Sequence, residues 1–123
     1  MRALVVDDSR TVRVIVSKIL VEAGFEVVEA GNGREGLDRL RQTPDVDLIL
    51  VDWNMPEMNG LDFIRAVRSD RANDAIRIMM VTTETEQEQV IRALDAGANE
   101  YLMKPFSKDT LLAKLSLLDL SGE

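Results

Sequence analysis

The side chains of this chain that could do chemistry are few and of narrow type. Its 123 residues include no Cys and no His. That removes a thiol nucleophile, a disulfide framework and thiolate metal sites, and with them the commonest general base and any Ser-His-Asp triad. Carboxylates, lysine and threonine remain, with an oxygen-loving ion as the natural helper. Four places stand out: Asp7-Asp8-Ser9, Asp52, Thr82-Thr83 and Lys104-Pro105. Asp52 anchors them. The run Leu48-Ile49-Leu50-Val51 leads straight into it, long enough for a buried strand and too short for a helix. An acid where a strand leaves the core is half desolvated and needs a metal, a cation or a chemical purpose. Pro56 and Gly60 discourage an immediate helix, so Asp52 is expected on a loop.

The elements that must position these groups follow from periodicity. Ala3–Val6 reads as a short buried strand, with Asp8 or Ser9 capping the helix after it. Val12, Ile15, Val16, Ile19 and Leu20 form the stripe of that helix, and Gly24 ends it. Phe25–Glu29 is a more polar second strand suited to a sheet edge. A helix near Arg34–Gln42 turns Leu37 and Leu40 inward and stops at Thr43-Pro44. After strand Leu48–Val51, a helix spans about Leu61–Ser69, Asp70–Ala75 is loop-like, and Ile76–Val81 is a fourth strand. Thr85-Glu86-Gln87-Glu88 reads as a capping box for a helix carrying Val90, Ile91 and Leu94, ended by Gly97. Tyr101–Met103 is a short fifth strand. Ser107 caps a last helix with Leu111, Leu112, Leu115 and Leu118 on its buried side, and Ser121-Gly122-Glu123 is a frayed tail. Five strands alternating with five helices predict an α/β domain, a parallel sheet covered on both faces with right-handed crossovers.

In such a sheet the strand ends lie along one edge, where ligands of open α/β sheets bind. With the first strand central and the third beside it, Asp7, Asp8 and Asp52 share a pocket, joined by Thr82 and Lys104. Three carboxylates at roughly 5 Å repel by about 3 kcal/mol per pair at an effective dielectric of ~20. Lys104 offsets one charge. An all-oxygen donor set suits Mg²⁺, or Mn²⁺, for the remainder. A metal, a lysine and a hydroxyl are what a transferring phosphoryl group needs, and a carboxylate can itself be the acceptor.

Asp7-Asp8, Asp52, Thr82 and Lys104-Pro105, in this order and each at a predicted strand end, resemble the signature of the response-regulator receiver domains of two-component signalling. Asp52-Trp53-Asn54-Met55-Pro56, Met58, Gly60, Tyr101 and Lys104-Pro105-Phe106 are similar to the single-domain chemotaxis regulators. The resemblance covers essentially the whole chain and implies one receiver domain over residues 1–123 with no effector domain. It implies a flavodoxin-like, doubly wound, three-layer sandwich with strand order 2-1-3-4-5. Asp52 would be the phosphoacceptor, with the domain catalysing its own phosphorylation and dephosphorylation. Asp8 and Asp52 would ligate Mg²⁺, Asp7 through water and Asn54 through its carbonyl. Thr82 and Lys104 would grip the phosphoryl oxygens, and Tyr101 would turn inward when Thr82 moves. Asn54 and Glu84 would tune dephosphorylation, and Lys104-Pro105 would be cis. Thr83 replaces a smaller residue common beside the switch threonine. The implied partners are a sensor histidine kinase, a target such as the flagellar motor switch, reached through the surface around the fourth helix and fifth strand, and a phosphatase.

The bulk numbers agree. Hydrophobic content of 46% with 30% charged residues is that of one soluble domain. A net charge of −7 argues against nucleic acid or an anionic membrane as partner. No stretch approaches the roughly 20 apolar residues of a membrane span, and the N-terminus is no signal peptide, so a cytoplasmic protein is expected; a monomer is expected as well. Other readings fit less well. A phosphatase of the haloacid-dehalogenase kind needs a second Asp where Asn54 stands. A flavodoxin-like nucleotide or flavin binder needs a first loop that does not repel phosphate. An EF-hand loop needs Gly at the position of Glu57. Among receivers, a relay intermediate or phosphate sink is the alternative to a chemotaxis regulator. The crowded acids lead to one further expectation: without Mg²⁺, Asp52→Asn or Asp7→Ala raises the melting temperature.

Overall fold

The alternating pattern of the sequence is realised as five parallel strands in the order β2-β1-β3-β4-β5. The structure, a computed structural model, describes residues 1–83, 87–118 and 120. In chain order the elements are β1 (Arg2–Val6), α1 (Arg10–Glu22), β2 (Glu26–Ala30), α2 (Gly33–Gln42), β3 (Leu48–Asp52), α3 (Gly60–Arg68), a 3₁₀ turn (Arg71–Asn73), β4 (Arg77–Thr82), α4 (Gln87–Ala96), β5 (Glu100–Met103) and α5 (Lys108–Leu117). The 3₁₀ turn lies in the stretch expected to be plain loop. The capping box at Thr85 and Glu86, Glu84, and the tail Ser121–Glu123 lie outside the described residues.

The inner strands are too apolar to tolerate one wet face, so helices cover both sides of the sheet. On one side Leu4, Val6, Ile49, Val51, Ile78 and Met80 meet Phe63, Ile64 and Val67 of α3 and Ala93 of α4. On the other, Ala3, Val5, Leu48, Leu50, Met79 and Leu102 meet Val16, Ile19 and Leu20 of α1 and Leu111 and Leu115 of α5. β3 is buried at every position and β2, at the edge, is half-exposed, as its polarity demands.

Local chemistry sets the helix ends. Ser9, Asn32, Asn59 and Ser107 each cap a helix by accepting an N–H three residues on. Ser9, not Asp8, caps α1, which leaves the Asp8 carboxylate for other work. Gly24 and Gly97 adopt φ +102° and +119° and end α1 and α4.

Two helix stripes run differently from the periodic reading. Ile15 is 51% exposed although it lies on the expected buried stripe of α1. In α4, Ile91 and Leu94 are 50% and 42% exposed, and it is Ala93 that meets the sheet. A small residue lets the helix approach closely, and the larger apolar side chains are left on the outer surface.

One cation ties the α3–α4 layer together. The guanidinium of Arg68 donates to the carbonyls of Gly97, Asn73 and Ile76 and to Asn99 Oδ1, at 2.7 to 3.0 Å. Burial pushes its pKa down, with the charge of Asp74 opposing.

Candidate functional site

The register brings the chemistry-bearing residues to one edge. Val6 pairs with Val51 and Asp52 with Val81, so the groups after β1, β3 and β4 emerge side by side. Asp52 is the last residue of β3 rather than a loop residue, and it is 5% exposed. The loop behind it turns at once. Trp53 N–H donates to Val81 O at 2.8 Å, and Gly60 N–H closes the loop on Trp53 O at 2.9 Å. A Cβ at Gly60 would stand 2.5 Å from the Asp52 carbonyl oxygen. Only glycine permits α3 to start that close to the acid. Within the loop Glu57 adopts φ +67°, the left-handed region that costs an ordinary residue roughly 1–2 kcal/mol.

Asp7, Asp8 and Asp52 each present a carboxylate oxygen, and these oxygens lie within 4.8 Å of one another. Asp7 is 3% exposed, whereas Asp8 faces solvent. Lys104, on the loop after β5, places Nζ 3.1 Å from Asp7 Oδ2 and 3.5 Å from Asp52 Oδ1. Its backbone N–H donates to Thr82 O at 2.7 Å, which fixes the lysine against β4. The Lys104-Pro105 bond is cis. Among the described residues, a cluster of three carboxylates therefore has one ammonium, held by two of them.

The two buried acids are not equivalent. Asp7 Oδ1 accepts the N–H of Ser9 at 2.8 Å and Oδ2 takes the lysine, so both oxygens are engaged. The Asp52 carboxyl is pushed up to about 6, first by burial and next by the charge of Asp7, with Lys104 opposing. This separates two substitutions that the sequence treated alike. Asp52→Asn relieves a strained charge, whereas Asp7→Ala removes the partner of Ser9 and Lys104.

The remaining expected residues are placed as follows. Asn54 is exposed on the loop two residues after Asp52. Thr82 ends β4, is 1% exposed, and donates its hydroxyl to Gln89 Oε1 on α4 at 3.3 Å. Tyr101 lies in β5, half-buried, with Lys114 Nζ 4.0 Å from its ring centroid. Glu84 lies outside the described residues. The sequence reading missed Gln89, Glu100 and Lys114, whose spacing carries no motif. Beside the acids an apolar groove of about 530 Å³ runs between α1 and the β5–α5 loop, lined by Val12, Ile15, Thr83, Lys104, Pro105 and Phe106.

The donor set is all oxygen, doubly anionic after Lys104 is counted, and open on the Asp8 side. It fits a hard divalent cation held by few protein ligands. A carboxylate that, among the described residues, receives no backbone N–H beside a cation site can also act as a nucleophile.

The fold and this edge define a class, and comparison with known proteins agrees with it. The response regulator receiver domain family matches residues 3–116, and the chain belongs to that family. It is similar to the chemotaxis protein CheY1 of Helicobacter pylori, strain ATCC 700392 / 26695, 46% identical over 119 residues and 96% of each chain. The chemotaxis protein CheY homolog of Campylobacter jejuni, serotype O:23/36, is also 46% identical, over 116 residues covering 94% of this chain and 89% of that one. Among solved structures, the Vibrio cholerae chemotaxis protein CheY4 superposes with a TM-score of 0.88 at 40% identity, covering 94% of this chain and 96% of that one.

Proposed function

We propose that this chain is a chemotaxis response regulator that takes a phosphoryl group onto Asp52 from the phosphohistidine of a sensor kinase. The observation that carries the reading is the state of Asp52: buried, beside Asp7 and Asp8, with Lys104 alone among the described residues to offset its charge. Such a carboxylate is a poor structural group and a good acceptor.

A carboxylate oxygen of Asp52 attacks phosphorus as the phosphorus–nitrogen bond of the donor breaks, and the departing imidazole keeps that electron pair and takes a proton. Lys104, already within reach of Asp52, holds a phosphoryl oxygen. Thr82 donates its hydroxyl to another, and Tyr101 follows it inward. Asp7, Asp8 and Asp52, with the Asn54 carbonyl, would hold Mg²⁺, Asp7 acting through water. When bound, that ion neutralises the developing charge on the phosphoryl oxygens. Water later attacks the acyl phosphate and restores the carboxylate, at a rate tuned by Asn54 and Glu84. The donor protein would seat in the apolar groove that flanks Lys104. A flagellar motor switch is the downstream target in keeping with the chemotaxis relatives, and a phosphatase ends the signal. No helix among the described residues is long and apolar enough to cross a membrane.

Trp53 is the single Trp, half-buried beside Asp52. We expect Mg²⁺ followed by acetyl phosphate or beryllofluoride to change its fluorescence, and acetyl phosphate to add one acid-labile phosphoryl group by mass. Asp52→Ala should lose the phosphodonor response. An unchanged Trp53 signal with no added phosphoryl mass sinks the proposal.

A further inference from the structure

We propose that Lys114 is a positioning residue that holds Tyr101 in its resting orientation, so that its grip sets how readily phosphoryl arrival at Asp52 reaches the outer face of α4, β5 and α5. The inference rests on the phospho-switch reading above and assigns the regulation of that switch to a residue far from the acids.

Tyr101 pairs with Met80 in the sheet, and Thr82 pairs with Met103. Partners in a sheet share a face, and residues two apart on one strand share it too. Tyr101, Met80 and Thr82 are therefore neighbours on the α4 side, where Tyr101 packs against the core cluster containing Met80 and Ala93. A displacement of Thr82 toward Asp52 vacates space that the Tyr101 ring can enter.

The resting ring is held from the opposite side. Lys114 Nζ lies 4.0 Å from the ring centroid, inside the range of about 6 Å over which a cation is drawn to an aromatic face. The same Nζ lies 3.2 Å from Glu100 Oε1, and that oxygen accepts the backbone N–H of Tyr101 at 3.0 Å. Carboxylate, ammonium and tyrosine thus form a closed set. Glu100 fixes the lysine, and the lysine fixes the ring. With side chains only 23% and 18% exposed, the Lys114–Glu100 pair is less screened than Lys108–Glu22 at 54% and 48%. A ring that turns inward leaves the ammonium, which stays with Glu100. The cation therefore attracts the resting state and has no matching contact with the turned one, and a contact that differs between two states biases their populations.

The chain has one Tyr, so 3-fluorotyrosine labelling gives a single ¹⁹F resonance that reports Tyr101 alone. Lys114→Met keeps length and apolar stem but removes charge; Lys114→Arg keeps charge. We expect Mg²⁺ with beryllofluoride to move the wild-type resonance. The unliganded Lys114→Met protein should already lie part of the way toward that position. It should also bind beryllofluoride roughly three- to tenfold more tightly, read by Trp53 fluorescence, because coupling between two equilibria is reciprocal. Lys114→Arg should remain at the wild-type values. A displaced ¹⁹F signal with unchanged beryllofluoride affinity overturns the proposal, since loss of a nearby charge alone would produce it. A wild-type ¹⁹F resonance that ignores beryllofluoride while Trp53 responds overturns Tyr101 as the switch, and the proposal with it. Silence from both probes refutes the phospho-switch reading itself.

Discussion

β3 carries an acid at each end, and the two are treated in opposite ways. Asp47, just before the strand, accepts the N–H of Arg2 on Oδ2 at 3.0 Å. Its own N–H donates to Arg2 O and its carbonyl receives Arg77 N–H, so it aligns the starts of β1, β3 and β4. Asp52, at the far end, lies 3.5 Å from one lysine, and among the described residues no backbone N–H donates to its carboxylate. Asp47 is structure; Asp52 is stored electrostatic work. The two ends differ in what is withheld from an acid, not in the acid's presence.

The largest effect expected from breaking this contrast is on the pH dependence of stability. The Asp52 carboxyl lies near 6 in the folded protein against an ordinary 3.8. The folded state thus binds its proton more tightly, so the stability that protonation confers is complete below about pH 4 and lost as pH rises through about 6. At pH 8 without divalent metal, Asp52→Asn should be more stable by on the order of 2–3 kcal/mol, an advantage that vanishes near pH 4. Asp47→Asn should show no such gain and cost up to about 1 kcal/mol. Denaturant titrations of the three proteins across pH test this; equal behaviour of the two variants would erase the distinction between the strand ends.

A smaller effect sharpens it. Gly60→Ala drives a methyl against the Asp52 carbonyl and should destabilise by about 1–3 kcal/mol while slowing acetyl phosphate labelling of Asp52. If stability falls and labelling of the folded fraction is unaltered, the close approach does not position the acid. The smallest effect is at Glu57. Glu57→Gly relieves a left-handed backbone and should stabilise by about 1 kcal/mol, measured by thermal unfolding. No gain would mean that the loop relaxes elsewhere.

Much of this was legible in the sequence because apolar runs followed by Asp7, Asp52, Thr82 and Lys104 mark both strands and strand ends. The convergence of those residues needed the strand order as well as parallel topology, and that order came from the family resemblance. Helix faces were harder. Ile15, Ile91 and Leu94 satisfy the spacing of a buried stripe, yet periodicity cannot say which of two apolar faces meets the sheet when Ala93 allows the closer fit. Glu57 gives no sign of its left-handed backbone, since a side chain normally argues against it. Arg68 carries no sign of its clamp, because its partners are carbonyls, which the sequence does not distinguish. Asp7 and Asp52 look alike on paper, and the N–H of Ser9 and the closer approach of Lys104 tell them apart.

The Arg68 clamp has a mechanical consequence. It grips Gly97 O, immediately beyond α4, and anchors it to the end of α3 and to Ile76 before β4. A rod fastened at one end can tilt but not slide. Thr82 meets α4 near the other end, at Gln89, so any push from the strand is applied far from the fulcrum. Over the nine steps from Gln87 to Ala96 the arm is about 13 Å at 1.5 Å per residue. A given rotation therefore moves the first turn of α4 most and Leu94 least, and Ile91, exposed midway along, rides at intermediate amplitude.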